Sequence, residues 1–297
     1  MVFPDFDPVL IHLGPLAIRW YALAYVAGIL LGWRYVVRLT KTPKLWSGSA
    51  PSATPVQIDD LVLWATLGVI LGGRIGYILL YDLKEMLAHP LEMLAVWHGG
   101  MSFHGGFLGV ALAIVIFARA NQLNVLRLAD VVAPCAPIGL FFGRLANFIN
   151  GELWGRPTHV PWGMIFCTPH IAAMNQGGCP AGPATYRHPS QLYEAGLEGL
   201  LLFAVLLWAT HRAKWLNREG AVTGLFLAGY GLSRVALENV RQPDAQMPDF
   251  PLGLTMGMML SIPMILVGVW LIWRGLKKPP APPAPETEPQ SAALAAE

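Results

Sequence analysis

The feature that most constrains this chain is the recurrence of long apolar stretches almost free of charge. Roughly 20 mostly apolar residues cross about 30 Å of hydrocarbon as a helix. Seven segments read as such spans: Leu16–Trp33, Asp60–Tyr81, Gly100–Ala118, Leu128–Ile149, Gln191–Thr210, Ala221–Val240 and Leu254–Trp273. Spanning backbone must satisfy its own polar groups, so the expected fold class is all-α, a polytopic membrane protein with seven transmembrane helices. Composition agrees: 55% of residues are hydrophobic and 13% charged, about half the charged share of a soluble domain. This excludes a cytosolic enzyme and a disordered chain, and a net charge of +2 offers no footprint for nucleic acid. Asp5 and Asp7 precede the first span where a cleavable signal peptide would carry basic residues.

Seven spans put the two ends on opposite sides, and basic residues choose between them. With the N-terminus outside, the inner loops and tail hold Arg34, Arg38, Lys41, Lys44, Arg119, Arg127, Arg212, Lys214, Arg218, Arg274, Lys277 and Lys278. The outer segments hold Lys84, Arg156, Arg187 and Arg241, with Arg19 at the boundary. The inner excess predicts a periplasmic N-terminus and a cytoplasmic C-terminus. Residues 1–278 then form one seven-helix membrane domain, with 151–189, rich in Gly and Pro, as an ordered periplasmic cap. The Pro/Ala-rich residues 279–297 read as a disordered cytoplasmic tail. Lys41–Pro55, rich in Ser, Thr and Pro, reads as a structurally dispensable inner loop. Cys167 and Cys179 both fall in the cap, and spacing leaves open whether they pair. Cys135 reads as a small packing residue.

Three arginines lie within spans: Arg74, Arg144 and Arg234. Each costs roughly 2.5–3.5 kcal/mol near the middle of a bilayer, so pairing, water or function must offset it. Counting 1.5 Å per residue, Arg144 lies about 8 Å, Arg234 about 9 Å and Arg74 about 10 Å below the outer ends of their spans. His104 and Tyr25 fall in the same outer half. Arg144 and Asn147 share a helix face, and Tyr230, Arg234 and Glu238 form a stripe at i, i+4, i+8. Two guanidiniums facing one site suit a phosphate, whose oxygens match the planar fork. Around the third span, His98–Gly106 reads HGGMSFHGG. Its glycine pairs suggest close approach of backbone to a ligand, and His104 has a pKa suited to proton transfer. Structural alternatives stand beside each reading: snorkelling or ion-paired arginines, and a hydrogen-bonded histidine at a helix end.

The run Gly143–Gly155, GRLANFINGELWG, resembles at every fixed position the signature G-R-x-[GA]-N-F-[hydrophobic]-N-x-E-x-x-G of the bacterial prolipoprotein diacylglyceryl transferases. RWYALAY (19–25), GGRIGY (72–77), HGGMSFHGG (98–106), HPSQLYE (188–194) and YGLSRVALENVRQPD (230–244) also look like this family. The resemblance implies a multi-pass enzyme of the bacterial inner membrane with its site toward the periplasm. It implies transfer of the diacylglyceryl group of phosphatidylglycerol to the lipobox cysteine of a prolipoprotein signal peptide, releasing glycerol 1-phosphate. Membrane lipids are the other expected partners, and neither metal nor cofactor is expected. Carried over by motif, the functional positions are Tyr25, His104, Arg144, Asn147, Glu152, Gly155, Tyr230, Arg234 and Glu238. His104, Arg144 and Arg234 are expected to be catalytic; Arg74, in a supporting or second lipid-binding role, and the others are expected to bind substrate. A lipid flippase using the same arginines and an intramembrane protease built on Ser102 and His104 are the competing classes. The one-leaflet clustering and the i, i+2 spacing of Ser102 and His104 weigh against them.

Overall fold

The computed structural model describes residues 1–14, 16–83, 89, 92–93, 100–242 and 254–280, apart from the side chains of Leu16, Leu80, Tyr81, Phe103, His104 and Met174. The expectations for His98, for the side chain of His104 and for most of the 279–297 tail lie outside these residues.

A hairpin before the first helix departs from the all-helical expectation. Val9–Leu13 (β1) and Leu16–Arg19 (β2) pair antiparallel, with Gly14 at φ +62° between them. Leu16–Arg19 was expected to open the first span. Over so few residues an apolar run fits strand and helix alike. Helix α1 instead covers Trp20–Thr40, running on beyond the expected Trp33.

Helix α2 (Pro55–Tyr81) starts at a capping box. Thr54 Oγ1 accepts Gln57 N at 3.2 Å and Gln57 Oε1 accepts Thr54 N at 2.9 Å, satisfying two orphan donors. Helix α3 (Phe103–Ala120) packs against α2 with backbones touching. A Cβ on Gly72 would stand 2.4 Å from Gly105 O, and one on Gly109 2.0 Å from Gly68 O. This is small-residue packing, the usual glue of membrane helices. It corrects the reading of HGGMSFHGG: Gly105 faces α2 rather than a ligand, and Gly100 (φ +77°) lies against Tyr77 and Arg74.

The fourth apolar run is broken into α4 (Val125–Val132), a 3₁₀ turn (Ala133–Cys135) and α5 (Ala136–Ile149). Pro134 and Pro137, lacking N–H donors, stand at the break. After the short cap helix α6 (Pro169–Met174), the fifth run joins α7 (Ser190–Glu194), a π-helical segment (Ala195–Leu201) and α8 (Leu202–His211). Helices α9 (Ala221–Leu237) and α10 (Met256–Lys277) pack through Gly224 and Gly268. Among the described residues, five helical runs are long and apolar enough to cross a membrane: Trp20–Thr40, Pro55–Leu79, Val125–Ile149, Ser190–His211 and Met256–Lys277. Gly105–Ala120 and Ala221–Leu237 are apolar but shorter. The protein is mostly helical, as a polytopic membrane protein is.

Lys41–Pro55 is not a dispensable loop. Trp46 is fully buried with Leu45 and Ala53, in the core that Leu39, Ile58, Val131 and Leu206 share. Its Nε1 donates to Leu39 O at 2.9 Å. At the other end of the molecule, Phe3 packs with Phe166, Ile171 and Ala181 in a small second core under the cap. Cys167 and Cys179 form a disulfide there, with Cα atoms 5.3 Å apart, which answers the question the spacing left open.

Candidate functional site

Helix α5 delivers Arg144 and, one turn on, the buried Asn147. Arg144 does not stand alone: its Nη2 is 2.8 Å from Glu194 Oε2 and 3.7 Å from Glu198 Oε2. Both carboxylates are fully buried, one turn apart at the junction of α7 and the π segment. Gly199 lets this span approach α5 closely, since a Cβ there would stand 2.7 Å from Phe141 Cβ. π-helical insertions of this kind are frequent at functional sites.

Helix α9 delivers Arg234, whose Nη2 lies 3.3 Å from Glu238 Oε2. The head of α10 covers this pair: a Cβ on Gly257 would stand 2.6 Å from Glu238 Oε2 and 3.1 Å from Arg234 Nη2. Beyond α9, Arg241 Nη1 reaches Glu194 Oε1 and Oε2 at 3.4 and 3.3 Å. Glu198 thus lies within electrostatic reach of Arg144, Arg234 and Arg241, and Tyr230 within reach of Arg144 and Arg234. Tyr25 on α1 interacts with Arg144 and Glu152. Several of these buried atoms have no hydrogen-bond partner: both Glu198 oxygens, Glu238 Oε2 and Arg234 Nη1. A buried polar group without a hydrogen bond costs about 1–3 kcal/mol, which the ion pairs of Glu198 with Arg144 and of Glu238 with Arg234 offset in part.

The loop after α5 is bound to this cluster. Asn147 and Asn150 donate to Glu152 Oε1 at 2.8 and 3.3 Å, and Gln191 donates to Glu152 O at 2.6 Å. Gly155 N donates to His188 O at 2.9 Å. A Cβ at Gly155 would meet Val240 O at 2.4 Å and His188 O at 2.9 Å, so glycine is required where the chain passes between these two segments. Burial pulls the imidazole of His188 below its usual range, and its Nδ1 lies 3.3 Å from Tyr193 OH.

Of the residues expected from sequence, Tyr25, Arg144, Asn147, Glu152, Gly155, Tyr230, Arg234 and Glu238 are gathered in this region. Arg74 is engaged differently. Its guanidinium donates to the carbonyls of Met93 (3.0 Å), Gly100 (3.2 Å) and Glu92, tying the segment before α3 to α2. Ser102 Oγ caps α3 by accepting Gly105 N at 3.3 Å, an acceptor's task that does not suit a protease nucleophile. Glu194, Glu198, Arg241 and Gly257 were not anticipated. Two glutamates one turn apart in an apolar span carried the signal, and Glu194 closes HPSQLYE. Arg241 was counted only as an outer charge. Among the described residues no group of three His, Cys, Asp or Glu side chains is placed to hold a metal ion. A cavity of about 530 Å³ is lined by Phe6, Leu10, Trp20, Leu145 and Phe148 among others, and by none of these arginines.

Comparison with known proteins gives the same direction. Residues 8–274 match the family described as prolipoprotein diacylglyceryl transferase. The chain is 62% identical over 299 residues to a protein of Caulobacter sp. (strain K31), covering 96% of this chain and 98% of that one. It is 61% identical to one of Phenylobacterium zucineum (strain HLK1), over 95% and 97% of the two chains. A third, from Sinorhizobium medicae (strain WSM419), is 54% identical over 92% and 93%. All three are named phosphatidylglycerol–prolipoprotein diacylglyceryl transferase.

Proposed function

The chain belongs to the prolipoprotein diacylglyceryl transferase family, and from that premise we propose how its residues transfer the diacylglyceryl group of phosphatidylglycerol to the lipobox cysteine of prolipoproteins. The enzyme is a transferase acting in the first step of lipoprotein maturation. The observation that carries the site assignment is the meeting of Arg144, Arg234 and Arg241 around two buried carboxylates, with Arg234 Nη1 left without an acceptor.

The thiol sulfur attacks a glycerol carbon of the lipid, a C–S bond forms and the C–O bond to phosphate breaks. The electron pair leaves with glycerol 1-phosphate, and the thiol proton passes to a base. Arg144 and Arg234 clamp the phosphate and act more strongly as its charge grows, as preorganised donors do. His104, at the start of α3, is the base for the thiol, whose free pKa of about 8.5 otherwise keeps it protonated near neutrality. Tyr25, Asn147 and Tyr230 bind the head group. Glu152 and Gly155 fix the loop over the site, Glu238 orients Arg234, and Arg74 supports the segment leading into α3.

Seven spans, a periplasmic N-terminus and a site on the periplasmic side of the inner membrane complete the reading. The inward bias of Lys and Arg supports it. So does the Cys167–Cys179 disulfide in the cap, since disulfides persist in oxidising compartments. Purified protein given labelled phosphatidylglycerol and a lipobox peptide tests the function. Thioether-linked lipid on the peptide is expected; lipid movement without it, or peptide cleavage, would overturn the assignment.

A further inference from the structure

Glu198 has no task in the clamp as described, yet it sits deep in the same cluster. It is fully buried, neither oxygen has a hydrogen-bond partner, and its nearest cationic nitrogen is 3.7 Å away. Glu194, by contrast, is held at 2.8 Å by Arg144 and at 3.3 Å by Arg241. The charged and titratable groups around Glu198 are Arg144 on α5, Tyr230 and Arg234 on α9, Arg241 after it, and Glu194 on its own helix. With Glu238 beside Arg234, three guanidiniums face three carboxylates. Fully ionised, the cluster is neutral before any ligand enters.

An anion arriving there upsets that balance. Phosphatidylglycerol brings one negative charge; glycerol 1-phosphate, once the ester bond has broken, brings close to two at neutral pH, because the second ionisation of a phosphate monoester lies near pH 6. A carboxylate tied by short ion pairs to the guanidiniums is already compensated locally. Glu198, when ionised, lies beside the same guanidiniums without so short a tie and repels a nearby anion with little screening. The repulsion is stronger against the dianionic product than against the monoanionic substrate.

We propose that Glu198 is a positioning residue that acts through the arginines to weaken their hold on phosphate, so that the dianionic product is expelled in preference to the lipid. The inference rests on the phosphate clamp of Arg144 and Arg234. It concerns release, which that reading leaves without a mechanism. Tight charge complementarity to a dianion would otherwise trap the product.

The test is inhibition of the purified full-length enzyme by glycerol 1-phosphate and by inorganic phosphate, together with kcat and KM for phosphatidylglycerol. Glu198→Gln keeps the shape and removes the charge. Inhibition by glycerol 1-phosphate should tighten roughly tenfold, the size expected for one poorly screened charge at several ångströms. The lipid's KM should fall by a smaller factor, and kcat should drop with a burst of product in the first turnover. Glu198→Asp, whose shorter side chain draws the charge back from the arginines, should tighten inhibition by an intermediate factor and serves if the glutamine variant does not accumulate. Inhibition constants equal to the parent's in the variant measured, or equal tightening for lipid and product, would overturn the role of Glu198. Arg144→Lys separates this from the clamp: if it leaves inhibition by both phosphates unchanged, the clamp itself is wrong. If it loosens inhibition while Glu198→Gln changes nothing, only the present inference fails.

Discussion

A guanidinium placed within a membrane span is retained only where something offsets its desolvation, and at Arg144 the offset is visible in two buried glutamates on the neighbouring span. Glu194 holds one nitrogen at 2.8 Å, which orients the planar fork; in the proposed clamp the other N–H groups meet the phosphate. Lysine at this position would keep the charge as a single compact ammonium without the fork. Arg144→Lys should therefore lower transfer by about 10²-fold or more, the range seen when one preorganised donor to developing charge is lost, with membrane levels near the parent's. Transfer at the parental rate in a labelled-lipid assay would refute the clamp. His104 calls for a different readout, because a base reveals itself through pH. In single-turnover experiments the parent rate should rise with pH through the imidazole range, and His104→Gln should be slow and flat across it. A His104→Gln profile matching the parent's would remove histidine from proton transfer.

At the scale of elements, glycines divide into those that carry packing and those that do not. Gly72 and Gly109 let α2 and α3 touch backbone to backbone, and a methyl on either would lie within 2.8 Å of the other helix. Gly109→Ala should separate the helices, displacing the segment that Arg74 ties down, and lower the thermal stability of the detergent-solubilised protein. Gly196, in the π segment, has open space where its Cβ would be; Gly196→Ala should be neutral or stabilising by up to about 1 kcal/mol. Equal melting temperatures for the two variants would contradict the packing. Trp46→Ala belongs here too: a fully buried indole in Lys41–Pro55 should cost about 3–5 kcal/mol on truncation, read as a loss of folded protein in thermal melts. The positions of the helices were legible because apolar runs of span length have few other fates. Their ends were less so. Hydropathy did not separate β2 from the head of α1, and the Ser/Thr/Pro content of Lys41–Pro55 outweighed its one large aromatic. The site was half legible for a related reason. Arginines in apolar spans are conspicuous and point to one another through depth and helical phase. Their partners Glu194 and Glu198 become meaningful only when the fifth span is laid against α5, a long-range relation that no local spacing encodes.

For the molecule as a whole, the proposed seven-span topology makes a single demand: the arginine cluster and the cap share one side of the membrane, while the basic ends of α1, α3 and α10 share the other. The cap is joined to the cluster through Gly155, whose N–H bonds His188 and whose strand pairs with Arg241, so the two cannot be separated by the bilayer. Arg38, Arg119 and Arg274 close the last turns of α1, α3 and α10, which suits a cytoplasmic face where positive charge is retained. Single cysteines report this directly. Gln176 is exposed in the cap, and Ser291 lies in the tail. In a background where Cys135, Cys167 and Cys179 are serine, Gln176→Cys should react with a membrane-impermeant maleimide on intact spheroplasts. Ser291→Cys should react only after permeabilisation. The reverse pattern would place the phosphate clamp on the cytoplasmic side and leave a disulfide in a reducing compartment. Labelling of both without permeabilisation would mean an even number of spans between Gln176 and Ser291, so that Ala221–Leu237, the shortest of the three apolar helices between them, does not cross.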